Sequence, residues 1–335
     1  MRWVAIFVAL AVARPVAAEP SDVSTRRRVA ATALAVVPGV LVRGLGSWIV
    51  GEKRTAKRLA GTAAIGLGGA ALGGAAVGLS GGSPYTTPGL PVLVAGSGLM
   101  LTTWLADIAV AAGLDRPGSA RATAPWSVEL GTTWLHDAYR ERGLLRAAGT
   151  LELGRFGVGA STFVDPAGDS LTADGELRVR IWQRRGSRLG ARTGVRRHRD
   201  DLDRVTIVTG EAELATRIEL AELDPTLAGT FVDLSLGLGI ERASYPNGEA
   251  GNSSLLLGGF AWGVFLGERG ELRLFYDHRR DSLAGGLAAW RAAGFVGSFG
   301  AGLELGLTRN WSARGELEIG NAYLTTFAIR YRGDS

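Results

Sequence analysis

From Ser127 to Arg332, apolar residues recur at every second position. The clearest piece runs from Glu176 to Trp182. Leu177, Val179 and Ile181 fall on one side, and Glu176, Arg178 and Arg180 on the other. Successive strand side chains point to opposite faces, so this period of two predicts strands with one apolar face. Breaks in the pattern predict about twelve of them: Ser127–Leu135, Leu145–Gly154, Phe156–Val164, Gly175–Gln183, Arg188–Arg197, Val205–Glu222, Thr230–Arg242, Ser254–Leu266, Gly270–His278, Ala292–Leu307, Trp311–Gly320 and Tyr323–Arg332.

The chain before Ser127 follows another pattern. Met1-Arg2 leads into a short apolar run, Trp3–Ala13. Val16-Ala17-Ala18 then offers small residues for cleavage. This reads as a signal peptide over 1–18. Residues 19–125 form a Gly/Ala-rich helical region and linker, and 126–335 the strand region. Apolar segments run Val29–Val50, Leu59–Ser80 and Leu90–Leu114, and Lys53, Arg54, Lys57 and Arg58 lie between the first two. No charged residue occurs between Arg58 and Asp107, so the second and third segments have spanning length. Gly66, Ala70, Gly74 and Gly78 repeat every fourth residue, which predicts a small-residue ridge for close helix packing.

The charge lies on the opposite strand face from the large apolar residues. Val232, Leu234, Leu236, Leu238 and Ile240 alternate with Asp233, Ser235, Gly237, Gly239 and Glu241. Trp311, Ala313, Leu317 and Ile319 oppose Arg314, Glu316 and Glu318. A membrane barrel turns its apolar residues to lipid and its polar residues to the lumen. The expected lumen-lining set is Glu176, Arg178, Arg180, Arg188, Arg192, Arg196, Asp233, Glu241, Arg273, Arg314, Glu316 and Glu318. Pairing of these charges implies a closed plug; their separation into patches implies a pore with an internal field. Trp134, Trp311, Tyr323 and Tyr331 at strand ends match interfacial girdles. With the N-terminus in the periplasm, the breaks after odd strands are mostly longer and more charged, as expected of outer loops.

This pattern resembles bacterial outer-membrane β-barrels over about 60% of the chain. The resemblance implies a fold of a roughly 12-stranded antiparallel transmembrane barrel behind a helical segment, of class α+β, in the outer membrane of a Gram-negative bacterium. It departs from that group in ending on Arg332-Gly333-Asp334-Ser335 after Tyr331. Separately, Val37-Pro38-Gly39, Gly44, Trp48, Gly51 and Trp104-Leu105-Ala106-Asp107 resemble two-helix membrane modules of the TM2 type, which imply no activity.

The 335 residues contain no cysteine, which removes thiolate metal sites and disulfides. The net charge of +5 comes from arginines spread through alternating strands, so anionic lipid is expected rather than nucleic acid. His136, His198 and His278, with acids nearby, fall at the same ends of odd strands, but without metal-motif spacing. Neither metal nor cofactor is expected. Arg140, Arg142, Arg197, Arg199, Arg279 and Arg280 gather at that rim, and guanidinium forks suit phosphates such as those of lipopolysaccharide. No nucleophile elbow, zinc helix or phosphate loop occurs. The expected function is a porin-like passive channel for small solutes or a structural barrel. The alternatives are an envelope anchoring module whose hairpin binds a membrane or protein partner and, third, a barrel enzyme.

Overall fold

The structure, a computed structural model, describes residues 24–79, 89–113, 124–136, 141–184, 186–202, 204–267, 270–278, 297–320 and 322–333. The expected signal peptide lies outside them. The chain divides into two compact units. A helical unit comprises Met1–Arg116 with Leu220–Thr230, and a barrel unit comprises Pro117–Glu219 with Phe231–Ser335.

In the helical unit, α1 spans Thr25–Val36, followed by a 3-10 turn at Pro38–Val40. Pro38 has no backbone N–H to continue the helical ladder, so α1 stops ahead of it. Then come α2 (Leu45–Ile49), α3 (Lys53–Leu79) and α4 (Gly89–Ala112). Asp107 of α4 is fully buried. Its carboxylate accepts from the backbone N–H of Gly44, Gly46 and Ser47 at 3.1, 3.1 and 2.8 Å, and from the Ser47 hydroxyl at 2.6 Å. These are the orphan donors of the α2 N-terminus, where an anion is favoured. Gly44 sits at φ +85°, and a Cβ there would lie 2.5 Å from the Ala56 carbonyl oxygen. Trp104 Nε1 donates to Ala35 O at 2.9 Å. Gly44 and Asp107, two parts of one scheme in the sequence, thus meet at one junction.

The small-residue ridge takes a different line from the one expected. A Cβ on Gly66 would lie 2.8 Å from Gly96 O, and one on Gly73 would lie 2.2 Å from Leu93 N. Gly78 has open space instead. A step of four residues overshoots a helical turn, so a strict four-residue repeat drifts around the helix. Gly66 and Gly73, two turns apart, hold the contact face.

The barrel contains twelve strands among the described residues: β1 (Trp126–His136), β2 (Glu141–Leu153), β3 (Phe156–Val164), β4 (Ser170–Arg184), β5 (Ser187–Asp200), β6 (Val205–Glu219), β7 (Thr230–Ser244), β8 (Ala250–Phe265), β9 (Gly270–Asp277), β10 (Ser298–Gly306), β11 (Trp311–Ile319) and β12 (Tyr323–Arg332). Each neighbours the next in sequence, and β1 closes on β12 from Ser127↔Arg332 to His136↔Tyr323. We call the end holding Trp126 the near end and that holding His136 the far end.

Several strands run past their expected limits at the far end. β2 begins at Glu141, β4 at Ser170 and β8 at Ala250, while β5 continues to Asp200. Charged and polar residues there pair across strands, as in Asp174↔Arg196 and Ser170↔Asp200. A polar run therefore did not mean a loop. The far-end connections shorten to 165–169, 201–204 and 245–249, while 220–229 at the near end is longer. The near-end connections 154–155 and 185–186 are shorter still, so the asymmetry read from the sequence is reduced, and 220–229 departs from it. The strand expected from Ala292 is described only from Ser298.

The faces follow the alternation. Leu236, Leu238 and Ile240 are 64%, 68% and 70% exposed on the outside. The outer surface carries an aromatic band on β8–β10, where Tyr276 packs 5.1 Å from Phe260 and 4.9 Å from Phe299. Girdles mark both ends. Trp126, Tyr331 and Trp311 cluster at the near end, with ring centroids 5.4 and 4.9 Å apart, and Trp134 and Tyr323 are exposed at the far end. The interior is not uniformly polar, however. Leu255, Leu257, Ala261 and Phe265 line the inner face of β8, beside Phe231 of β7, and all are buried. A Cβ on Gly263 would lie 2.1 Å from the Phe231 ring, so glycine makes room for it.

Arginine facing mid-bilayer costs about 2–4 kcal/mol, whereas lumen positions escape this cost. Leu236→Arg is expected to abolish assembly in lipid vesicles and Ser235→Arg to leave it intact, scored by resistance to unfolding in detergent without boiling. Equal effects would contradict the lipid-facing assignment.

Candidate functional site

The candidate site is the lumen. Its side chains come from alternate positions of every strand, so a regular sheet aims charge inward from all sides. The structure places Glu176, Arg178, Arg180, Arg188, Arg192, Arg196, Asp233, Glu241, Arg273, Arg314, Glu316 and Glu318 on this inner face, opposite the exposed apolar rows.

Three groups of contacts organise them. Near the β1–β12 closure, Glu129 is buried and approached by Arg330 at 2.5 Å, Arg146 at 3.0 Å and Arg314 at 3.6 Å. Arg330 also reaches Glu304 at 2.9 Å, and Arg332 binds the same carboxylate. Glu316 accepts from Arg314 at 2.6 Å and Arg273 at 2.7 Å. Towards the near end, Arg217 grips Asp233 with two bonds of 2.7 Å and reaches Glu271 at 3.0 Å. Its guanidinium carbon lies 3.9 Å from the Phe231 ring centroid, a cation–π contact. On β4–β6, Arg192 binds Glu213 and Arg196 binds Asp174, while Arg178 lies 3.3 Å from Glu176 and 3.4 Å from Glu152.

Some pairs join neighbouring strands, such as Arg217 with Asp233. Others bridge strands well apart around the barrel, such as Arg217 of β6 with Glu271 of β9 and Arg142 of β2 with Asp200 of β5 at 3.0 Å. Of the two arrangements left open by the sequence, the lumen shows pairing, but it is not filled as the expected closed plug would be: cavities of about 310 and 100 Å³ remain beside the pairs. Arg188 stands apart: it lies directly opposite Arg217 in the β5–β6 register. Arg180 donates to Gly154 O at 2.5 Å. Ser253 donates to Glu241 at 3.4 Å, and Ser298 to Glu318 at 3.3 Å.

Two cavities lie beside these pairs. A cavity of about 310 Å³ is lined by Glu129, Arg146, Asp174, Glu176, Arg192 and Arg196, among others. A second, of about 100 Å³, lies against Glu271, Arg273, Glu304 and Arg314. Arg330 lines both. Bonded to Glu129 on one side and Glu304 on the other, it stands between them.

Of the expected rim arginines, the described ones, Arg142, Arg197 and Arg199, do not share one face. Arg140, Arg279 and Arg280 lie outside the described residues. Arg142 is not a loop residue: β2 begins before it, and the strand turns it inward to Asp200. Arg197 and Arg199 are exposed on the outer face of β5, and Arg199 pairs with Asp201 at 2.6 Å. The histidine rings are engaged separately: His136 with Glu141 at 2.8 Å, His198 with Thr172 at 2.8 Å and His278 with Tyr276 at 2.6 Å. Sequence reading missed Asp174 and Arg146. Asp174 was assigned to a loop; the signal for Arg146 was its two-residue spacing from Ala148 and Thr150, which share its inward face.

Removing one partner of a desolvated pair leaves the other charge uncompensated. Arg217 is 10% exposed and Asp233 and Glu271 are each 28% exposed, so partial screening applies. Arg217→Ala is expected to lower unfolding stability in vesicles by on the order of 2–3 kcal/mol, below the full buried-pair cost. Arg199→Ala, at a 57% exposed side chain, should leave the denaturation midpoint unmoved. A neutral Arg217→Ala would contradict the structural role of the network.

No family model and no curated protein matches this sequence. Among solved structures, it is similar to the KdgM porin in complex with disordered oligogalacturonate at 8% identity and a TM-score of 0.43, over 62% of this chain and 99% of that one. It is similar to the NanC porin at 8% identity and a TM-score of 0.40, over 62% and 100%. It also matches the translocator domain of autotransporter NalP from Neisseria meningitidis at 12% identity and a TM-score of 0.33, over 67% and 92%.

Proposed function

We propose that this protein is an outer-membrane barrel that forms a narrow passive channel for small ions and solutes. The observation that carries the reading is polar space left inside a closed, charge-lined barrel. A closed barrel with lipid-facing walls encloses polar cavities of about 310 and 100 Å³, with Arg330 between them. Fixed charges of both signs line the path, so passage favours small hydrated species over bulky ones. The outer membrane is the location supported by the barrel architecture, since closed barrels satisfy every backbone group without exposing a sheet edge to lipid. A structural barrel without flux is the second reading, favoured by ion pairs that bridge distant strands, such as Arg217–Glu271. In neither reading does the lumen perform catalysis.

Planar-bilayer recording separates the two. The intact chain should give a conductance below that of a wide porin measured in the same bilayer. Arg330→Ser should raise it by joining the cavities. A folded wild type with no conductance, combined with a folded Arg330→Ser that is equally silent, would select the structural barrel and overturn the channel.

A further inference from the structure

The apolar segment of α3 presents a surface that water does not tolerate. From Leu59 to Leu79, Thr62 is the only residue with a polar side chain. Much of this helix is nevertheless uncovered: Ile65 is 70% exposed, Leu72 72% and Leu79 90%. A soluble helix carries polar residues on its open face, and one that is apolar all round is buried in something. α4 covers the Gly66–Gly73 face through close backbone contact, and Ala56, Leu59 and Ala63 are buried as well.

Charge and length indicate what covers the rest. Lys53, Arg54, Lys57 and Arg58 all lie at one end of α3 and are exposed. Trp48 lies at that end, 49% exposed, with Lys53 Nζ 5.8 Å from its ring centroid. The apolar stretch above this collar is about 30 Å long at 1.5 Å per residue, the thickness of a bilayer's hydrocarbon core. Basic residues and tryptophan at the foot of such a stretch match the headgroup level. Arg58 also pairs with Asp224 at 3.6 Å, and Lys53, Arg54 and Lys57 are exposed on the collar.

We propose that the α3–α4 hairpin is a bilayer-inserting element. The open face of α3 meets hydrocarbon, and its basic collar meets anionic phospholipid headgroups. Small residues then serve the helix–helix contact, where close packing replaces the hydrophobic effect that lipid does not supply. The inference is independent of flux through the lumen but shares with the proposed function the premise of a membrane-resident chain.

The absence of cysteine permits a direct test with the full chain in vesicles of phosphatidylcholine and phosphatidylglycerol. Single cysteines replace Leu72, Arg54 and, in the barrel, Leu236, each carrying an environment-sensitive fluorophore. Lipids brominated on the acyl chain should quench the probe at 72 as strongly as that at 236, while aqueous iodide quenches only the probe at 54. Iodide quenching at 72 would overturn the proposal. So would protection of 72 from both quenchers, which would indicate a protein partner. Loss of acyl-chain quenching at 236 alone would instead count against the barrel's membrane placement while leaving the hairpin upheld. Replacing Lys53, Arg54, Lys57 and Arg58 by glutamate, with the probe at 72, should reduce its acyl-chain quenching most in the vesicles that contain phosphatidylglycerol. Unchanged quenching would overturn the role of the collar.

Discussion

Hydrocarbon offers no water to an unpaired N–H or C=O, so a sheet can enter a bilayer only if it has no edge. Closure of β1 on β12, from Ser127↔Arg332 to His136↔Tyr323, is the feature on which the rest of this barrel depends. Closure forces every second side chain into a shared interior. A sequence with charge on those positions must then settle many charges in a small space. The outer face, freed from that problem, is left to leucine, isoleucine and aromatic rings.

The interior solves the charge problem by mutual pairing. Glu129 sits beside the closing seam and is surrounded by arginines from β2, β11 and β12. The same network that neutralises the seam also narrows the bore, because Arg330 must reach both Glu129 and Glu304. In the proposed channel, stability and restricted passage would thus have one physical origin. On β7–β9 the solution differs: Phe231, Leu257 and Phe265 fill the wall with apolar bulk, and Arg217 lies over the Phe231 ring.

Strand existence and facing were legible because a period of two is local. Leu236 and Ser235 announce their sides without any knowledge of neighbours. Strand ends were less legible, since Ser170 and Asp200 look like loop residues until they are seen opposite each other. Pairing was hidden for a deeper reason. Whether Arg142 meets a phosphate at the rim or Asp200 in the lumen depends on strands far apart in sequence. In the helical unit, spacing revealed Gly44 and Asp107 as parts of one scheme, but only the fold shows the carboxylate capping α2. The fourfold ridge was misread beyond Ala70, because the helical turn is shorter than four residues and Gly78 drifts off the contact.

The central claim is a closed barrel resident in the outer membrane with its interior lined by ion pairs. Membrane fractionation followed by electrophoresis in detergent, with and without boiling, tests it most directly. The account predicts recovery with the outer membrane and a band that changes mobility on boiling, as a closed barrel resists detergent until heated. Recovery in the soluble fraction, or identical mobility before and after boiling, would contradict it.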